Sequence, residues 1–135
     1  MTILVVDDDA DIRRFLVKLV QKTFRCKVEE AENGKIALDK LSEVEPDIIC
    51  LDVTMPEMDG ITFIEEIKKL DNFKDTPIIM MSAISEKSTI SKLLSLGIKN
   101  YILKPFSFQD TQARLKNIIF PILKEKKDSL IPRKR

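Results

Sequence analysis

Asp7, Asp8, Asp52, Ser82 and Lys104 are the residues whose types and positions could do chemistry together. Each stands where a short apolar run stops: Asp7 and Asp8 after Ile3 to Val6, Asp52 after Ile48 to Leu51, Ser82 after Ile78 to Met81, Lys104 after Tyr101 to Leu103. Runs of that length read as strands covered on both faces. Carboxylates gathered at one sheet edge repel, since two like unit charges about 4 Å apart cost about 4 kcal/mol at an effective dielectric of about 20. A hard cation removes that repulsion. Mg²⁺ fits best, because it prefers oxygen ligands, is held by one or two carboxylates and keeps positions open for water and phosphate oxygens. Asp8 and Asp52 are the expected direct ligands, the backbone carbonyl of Thr54 is the third, and Asp7 acts through water. A carboxylate, a metal, a hydroxyl and a lysine are the parts needed to receive a phosphoryl group. The metal and Lys104 would neutralise the equatorial oxygens while Asp52 attacks phosphorus in line and becomes an acyl phosphate. Taken singly, the Asp7 to Asp9 run is a helix cap, Ser82 a solvated strand end and Lys104 a surface charge. Their joint occurrence at four strand ends favours the chemistry.

The intervening sequence supplies the elements that must position these residues. Asp9 can cap a helix whose stripe is Ile12, Phe15, Leu16, Leu19 and Val20. A more polar strand around Cys26 to Glu30, with Val28 at its centre, reads as a sheet edge. Asn33-Gly34 then turns the chain into a helix bearing Ala37, Leu41 and Val44 and closed by Pro46. After Asp52, Pro56 and the Asp59-Gly60 pair carry turn chemistry, and Phe63, Ile64 and Ile67 mark a third helix. A fourth, with Ile90, Leu93 and Leu94, stops at Gly97. Ser107 with Asp110 is a partial capping box for a last helix carrying Leu115, Ile118, Ile119 and Ile122. Pro121 inside it removes a hydrogen bond at a cost of ~3 kcal/mol, so a kink or an early stop is expected there. Five alternations of strand and helix predict an α/β fold: a five-stranded parallel sheet, order 2-1-3-4-5, with helices on both faces, flavodoxin-like. Strands 1 and 3 then lie side by side at the switch point, where such sheets bind ligands.

Composition bounds the function. A chain of 135 residues with 44% hydrophobic content suits one core. There is no histidine, which excludes histidine-based triads, relays and zinc sites. Cys26 and Cys50 read as small buried hydrophobes and not as a disulfide or metal pair. No run is long enough for a membrane span and Met1 to Val6 enters a strand directly, so a cytoplasmic protein is expected. Residues 124–135 carry 6 basic and 2 acidic groups, net +4, against 17 and 20 elsewhere, net −3. This divides the chain into a domain over 1–123 and a basic tail or start of a linker over 124–135. The acidic body presents no broad nucleic-acid-binding face.

Four ordered motifs carry a family resemblance: VVDDD at 5–9, LDVTMPEMDG at 51–60, MSA at 81–83 and YILKPF at 101–106. Over about residues 2 to 120 the chain resembles the receiver domains of two-component response regulators, and in particular is chemotaxis-regulator-like. The resemblance implies a phosphorelay receiver in which Asp52 takes a phosphoryl group from a phosphohistidine on a sensor histidine kinase or phosphotransfer protein. It implies that Asp7 and Asp8 hold Mg²⁺, that Lys104 contacts the phosphoryl group, that Ser82 and Tyr101 form the switch, and that the Lys104-Pro105 bond is cis. A downstream effector would bind through the fourth helix, fifth strand and fifth helix. Such a protein is no turnover enzyme: it catalyses its own phosphorylation and slow dephosphorylation. Thr54 and Ile84 would flank the path of the hydrolytic water, and an apolar Ile84 cannot orient it, so a long-lived acyl phosphate is expected.

Three other readings compete. A phosphatase of the haloacid dehalogenase type shares the aspartyl nucleophile, but its D-x-D-x-T pattern places a general acid where this chain has Thr54. A flavin-binding module wants a hydroxyl- and glycine-rich loop after the first strand, where Asp7 to Asp11 would repel phosphate. A receiver-like scaffold acting by binding alone is disfavoured because every reactive position is filled.

Overall fold

The apolar runs pair as parallel strands with register set by their burial. The computed structural model describes residues 1–53, 58–82, 87–103 and 107–130, apart from the side chains of Ser82 and 126–130. The strands are β1 (Thr2–Val6), β2 (Lys27–Ala31), β3 (Ile48–Leu51), β4 (Ile78–Ser82) and β5 (Asn100–Leu103). They alternate with α1 (Ala10–Phe24), α2 (Gly34–Lys40), α3 (Gly60–Ile67), α4 (Lys87–Ser95) and α5 (Phe108–Leu130). All pairings are parallel and the order is β2-β1-β3-β4-β5. This is the sheet expected, with five helices, and the polar strand β2 lies at an edge.

Two compact units make up the chain, Met1–Pro105 and Phe106–Arg135. In the first, strand residues alternate between two cores, the period-two consequence of the pleat. Leu4, Val6, Ile49, Leu51, Ile78 and Met80 pack with Ala37 and Leu41, with Phe63, Ile64 and Ile67 of α3, and with Leu93 of α4. Ile3, Val5, Cys50, Ile79 and Met81 are likewise buried and point to the other face. There α1, which contacts β1 and β2, buries Leu16, Leu19 and Val20. Both faces are therefore covered, which is why Ile3 to Val6 of β1 and all of β3 are apolar.

The caps explain where the helices begin. Asp9 accepts from the backbone N–H groups of Asp11 and Ile12, at 2.9 and 3.2 Å. Asn33 accepts from Ile36 at 2.8 Å and Asp59 from Thr62 at 2.8 Å. Each satisfies donors that the first turn leaves without a helical partner. Gly97, at φ 88°, follows α4, and its left-handed backbone is one that glycine adopts without strain.

One expectation on the helices needs correction, and of the two alternatives at Pro121 the early stop is excluded. Leu94 is 62% exposed while Leu93 is buried, so of the two it is Leu93 that faces the core from α4; neighbouring helix positions are turned about 100° apart. In the second unit, Ser107 caps α5 through its hydroxyl, which accepts from Asp110 N–H at 3.2 Å. That helix does not stop at Pro121 but continues to Leu130. Pro121 forfeits only its own bond to the Asn117 carbonyl, and the Lys- and Glu-rich sequence beyond it favours resuming the ladder.

Both cysteines are free thiols: Cys50 is buried within β3, whereas Cys26 is half-buried just before β2, less enclosed than expected. Burial pushes the Cys50 thiol from an ordinary value of 9.0 up to about 12. Folding thus favours the protonated form, and the stability this gives is complete below pH 9 and is lost as pH rises towards about 12. Denaturation midpoints should fall more steeply over that window in the natural protein than in Cys50→Ala, by up to about 1.4 kcal/mol per pH unit. Intact mass after iodoacetamide treatment should show a single alkylation, at Cys26, in buffer and two in denaturant.

Candidate metal centre

Sheet register carries the first two carboxylates together. Val6 pairs with Leu51 in β1 and β3, so the next residues, Asp7 and Asp52, fall opposite one another. The ladder extends to hold them: Asp7 N–H donates to the Ala31 carbonyl at 3.2 Å, and Asp52 N–H to the Val6 carbonyl at 3.0 Å. Asp7 and Asp52 are only 1% and 5% exposed, while Asp8 is exposed. Carboxylate oxygens of Asp7, Asp8 and Asp52 all lie within 4.8 Å of one another.

Burial of two acidic side chains beside a third carboxylate has a cost that must be offset. Part of the offset is local: Asp7 Oδ1 accepts from Asp9 N–H at 2.9 Å. The chemistry of the set, three anionic oxygen donors converging at one point, fits a hard divalent cation such as Mg²⁺. The DDD run also divides its labour. Asp9 is committed to capping α1, leaving Asp7 and Asp8 for the cluster.

The other strand ends stop in the same region of the sheet. Leu51 pairs with Met80, so Ser82, the last residue of β4, lies one position beyond the neighbour of Asp52. Ser82 pairs in turn with Leu103, the residue before Lys104. Tyr101, on β5, is half-buried and packs against the core shared by α2, α3 and α4. Thr54, Ile84, Lys104 and Pro105 lie outside the described residues, as does the Lys104-Pro105 bond.

Two contributors were not read from the sequence as parts of this site. Gly60 was expected to serve a turn, yet it is the first residue of α3, capped by Asp59. Its N–H donates to the Val53 carbonyl at 2.7 Å. A methyl group there would sit 2.5 Å from the Asp52 carbonyl oxygen and 2.8 Å from the Val53 Cα, both backbone atoms. Glycine is therefore required by close approach, because α3 starts against the strand end that presents Asp52. The second is Arg13, whose Nη1 donates to the Asp7 carbonyl at 2.7 Å. A basic residue four positions after a capping aspartate is too common a pattern to have marked it.

Fold and site together define a doubly wound α/β domain with an acidic cluster at its switch point. Residues 3–116 match the family described as the response regulator receiver domain, and the chain belongs to that family. It is 43% identical over 104 residues to the chemotaxis protein CheY of Bacillus subtilis, covering 77% of this chain and 85% of that one. It is 32% identical over 117 residues to the sensor histidine kinase TmoS of Ectopseudomonas mendocina, spanning 87% of this chain but 12% of the kinase. Among solved structures, the N-terminal domain of a Wolinella succinogenes protein superposes with a TM-score of 0.85 at 26% identity, covering 96% of this chain and 98% of that one.

Replacing Gly60 with Ala should destabilise the domain by about 2 kcal/mol, since neither backbone atom can move aside without disturbing β3. Urea denaturation measures this, and a variant as stable as the natural protein would refute the close-packing account.

Proposed function

We propose that this chain is a phosphorelay signal receiver that accepts a phosphoryl group on Asp52 and switches conformation to control a partner or output domain. The observation that carries the reading is the convergence of Asp7, Asp8 and Asp52 within 4.8 Å at the switch point. Membership of the receiver family supports it.

Asp7, Asp8 and Asp52, with the Thr54 carbonyl, would hold Mg²⁺. When bound, the ion supplies positive charge that quenches carboxylate repulsion and offsets charge on the oxygens of an incoming phosphoryl group. Asp52 is the nucleophile: a carboxylate oxygen forms the new bond to phosphorus as the donor's P–N bond breaks, and the departing histidine nitrogen keeps the electron pair. Lys104 contributes a second cation to the transferred group. The donor is a sensor histidine kinase or a phosphotransfer protein, in keeping with the absence of histidine here. The chain promotes its own phosphorylation and slow dephosphorylation and turns over no separate substrate. Its setting is cytoplasmic, a reading in line with the finding that no described helix is long and apolar enough to cross a membrane.

Phosphorylation replaces the single negative charge of the Asp52 carboxylate with about −2 on the acyl phosphate. The hydroxyl of Ser82 answers it by donating a hydrogen bond, and Tyr101 rotates inward. Near-complete switching needs ~5.5 kcal/mol of differential stabilisation, within reach of several charge-assisted hydrogen bonds. The downstream effector reads the change on the fourth helix and fifth strand, where Leu94 and Leu103 are 62% and 51% exposed, and on the fifth helix.

Intact mass spectrometry after incubation with acetyl phosphate or phosphoramidate and Mg²⁺ tests this directly. One added phosphoryl group is expected, absent in Asp52→Asn and absent without metal. Failure to form an adduct under any condition would leave a scaffold that acts by binding alone. In the same assay Ile84→Glu should shorten the lifetime of the adduct.

A further inference from the structure

Arg13 makes two contacts that tie the acidic cluster to the sheet edge. From the first turns of α1, its Nη1 donates to the Asp7 carbonyl oxygen at 2.7 Å. Its Nε donates to Glu30 Oε1 on β2 at 3.2 Å. The guanidinium is mostly enclosed, its side chain 18% exposed, while that of Glu30 is 49% exposed. The carbonyl it holds belongs to the peptide group joining Asp7 to Asp8, two of the three carboxylates at the site.

Asp7 is thus held from several sides. Its N–H bonds to the Ala31 carbonyl, its carboxylate accepts from Asp9 N–H, and its carbonyl accepts from Arg13. The last of these partners is a side chain, so that restraint can be removed without rebuilding backbone. Arginine suits the task because its planar fork serves two acceptors in fixed geometry, which a lysine ammonium cannot do.

We propose that Arg13 is a positioning residue for the metal site: anchored by Glu30, it holds the Asp7–Asp8 peptide group so that both carboxylates are preset for a divalent cation. The inference rests on the reading of Asp7, Asp8 and Asp52 as an Mg²⁺ site. Ligands that are already ordered do not have to be ordered on binding, and partners that orient ligands typically alter metal affinity by about 10- to 100-fold.

The sign of the effect separates positioning from charge. Removing the Arg13 cation leaves Glu30 unpaired and makes the neighbourhood of the site more negative. By Coulomb attraction alone, Arg13→Met would then bind Mg²⁺ more tightly. Loss of positioning weakens binding instead. A role confined to general stability would leave the affinity of the folded protein unchanged.

Isothermal titration of Mg²⁺ into the unphosphorylated full chain decides among these outcomes, with circular dichroism confirming the fold of each variant. Arg13→Met should bind roughly tenfold more weakly, and Arg13→Lys, which keeps the charge but loses the fork, more weakly by about threefold. The rate of phosphorylation by phosphoramidate should show a raised Mg²⁺ midpoint but an unchanged maximum at saturating metal. Equal or tighter binding by Arg13→Met would overturn the proposal; should that variant not fold, natural affinity in Arg13→Lys would do so. If the natural chain itself bound no Mg²⁺, the metal-site reading would fall and this inference with it. Natural binding with unaltered variants would overturn the inference alone.

Discussion

Mutual repulsion among three carboxylates at the ends of two central strands is the constraint on which this structure turns. Parallel pairing of β1 with β3 places Asp7 opposite Asp52, and Asp8 completes a cluster within 4.8 Å. Strand ends of pure structural purpose have no use for such crowding, because like charges held close together in a partly buried site repel one another strongly. The apolar sheet must be stable enough to enforce it. Both faces of β1 and β3 are sealed, with Ile3 to Val6 and Ile48 to Leu51 at most 1% exposed.

Much of the surrounding detail follows as a means of holding that cluster rigidly. Asp9 caps α1 and also offers its own N–H to Asp7, so the helix start and the acid pair are one hydrogen-bonded unit. Arg13 returns from the helix to grip the Asp7 carbonyl and leans on Glu30 of the edge strand. On the other side, Gly60 lets α3 begin in contact with the backbone of Asp52 and Val53. These contacts join strand ends to the first turns of the helices that follow them, and Arg13 reaches on to the neighbouring strand at Glu30. The site is therefore built by the sheet and its first helical turns together, and neither alone would suffice.

A preformed anionic site and a responsive surface make different demands. The first needs rigidity, and the central strands supply it. The second, under the proposed switch, needs alternatives of similar energy, for which the half-buried Tyr101 on β5 and the exposed Leu94 and Leu103 are the candidates. Phosphoryl chemistry at the stiff centre would then act on the softer periphery through charge, which reaches further than packing.

The sequence by itself determined the alternation of strand and helix, the strand order, the edge position of β2, the caps at Asp9 and Ser107, and the convergence of Asp7, Asp8 and Asp52. Each rests on local signals: apolar runs of strand length, capping side chains, and handedness rules that leave few orders for five parallel strands. Tertiary structure alone decided which of two neighbouring leucines on α4 faces the core, since a single apolar pair fits either rotation of a short helix. It decided that α5 runs through Pro121, where the balance between one lost bond and the remaining ladder cannot be read from composition. It also decided the roles of Gly60 and Arg13, because each acts on backbone atoms of the strand end that precedes its helix. Such an atom carries no side-chain identity, so no residue pattern announces the contact until the chain has folded.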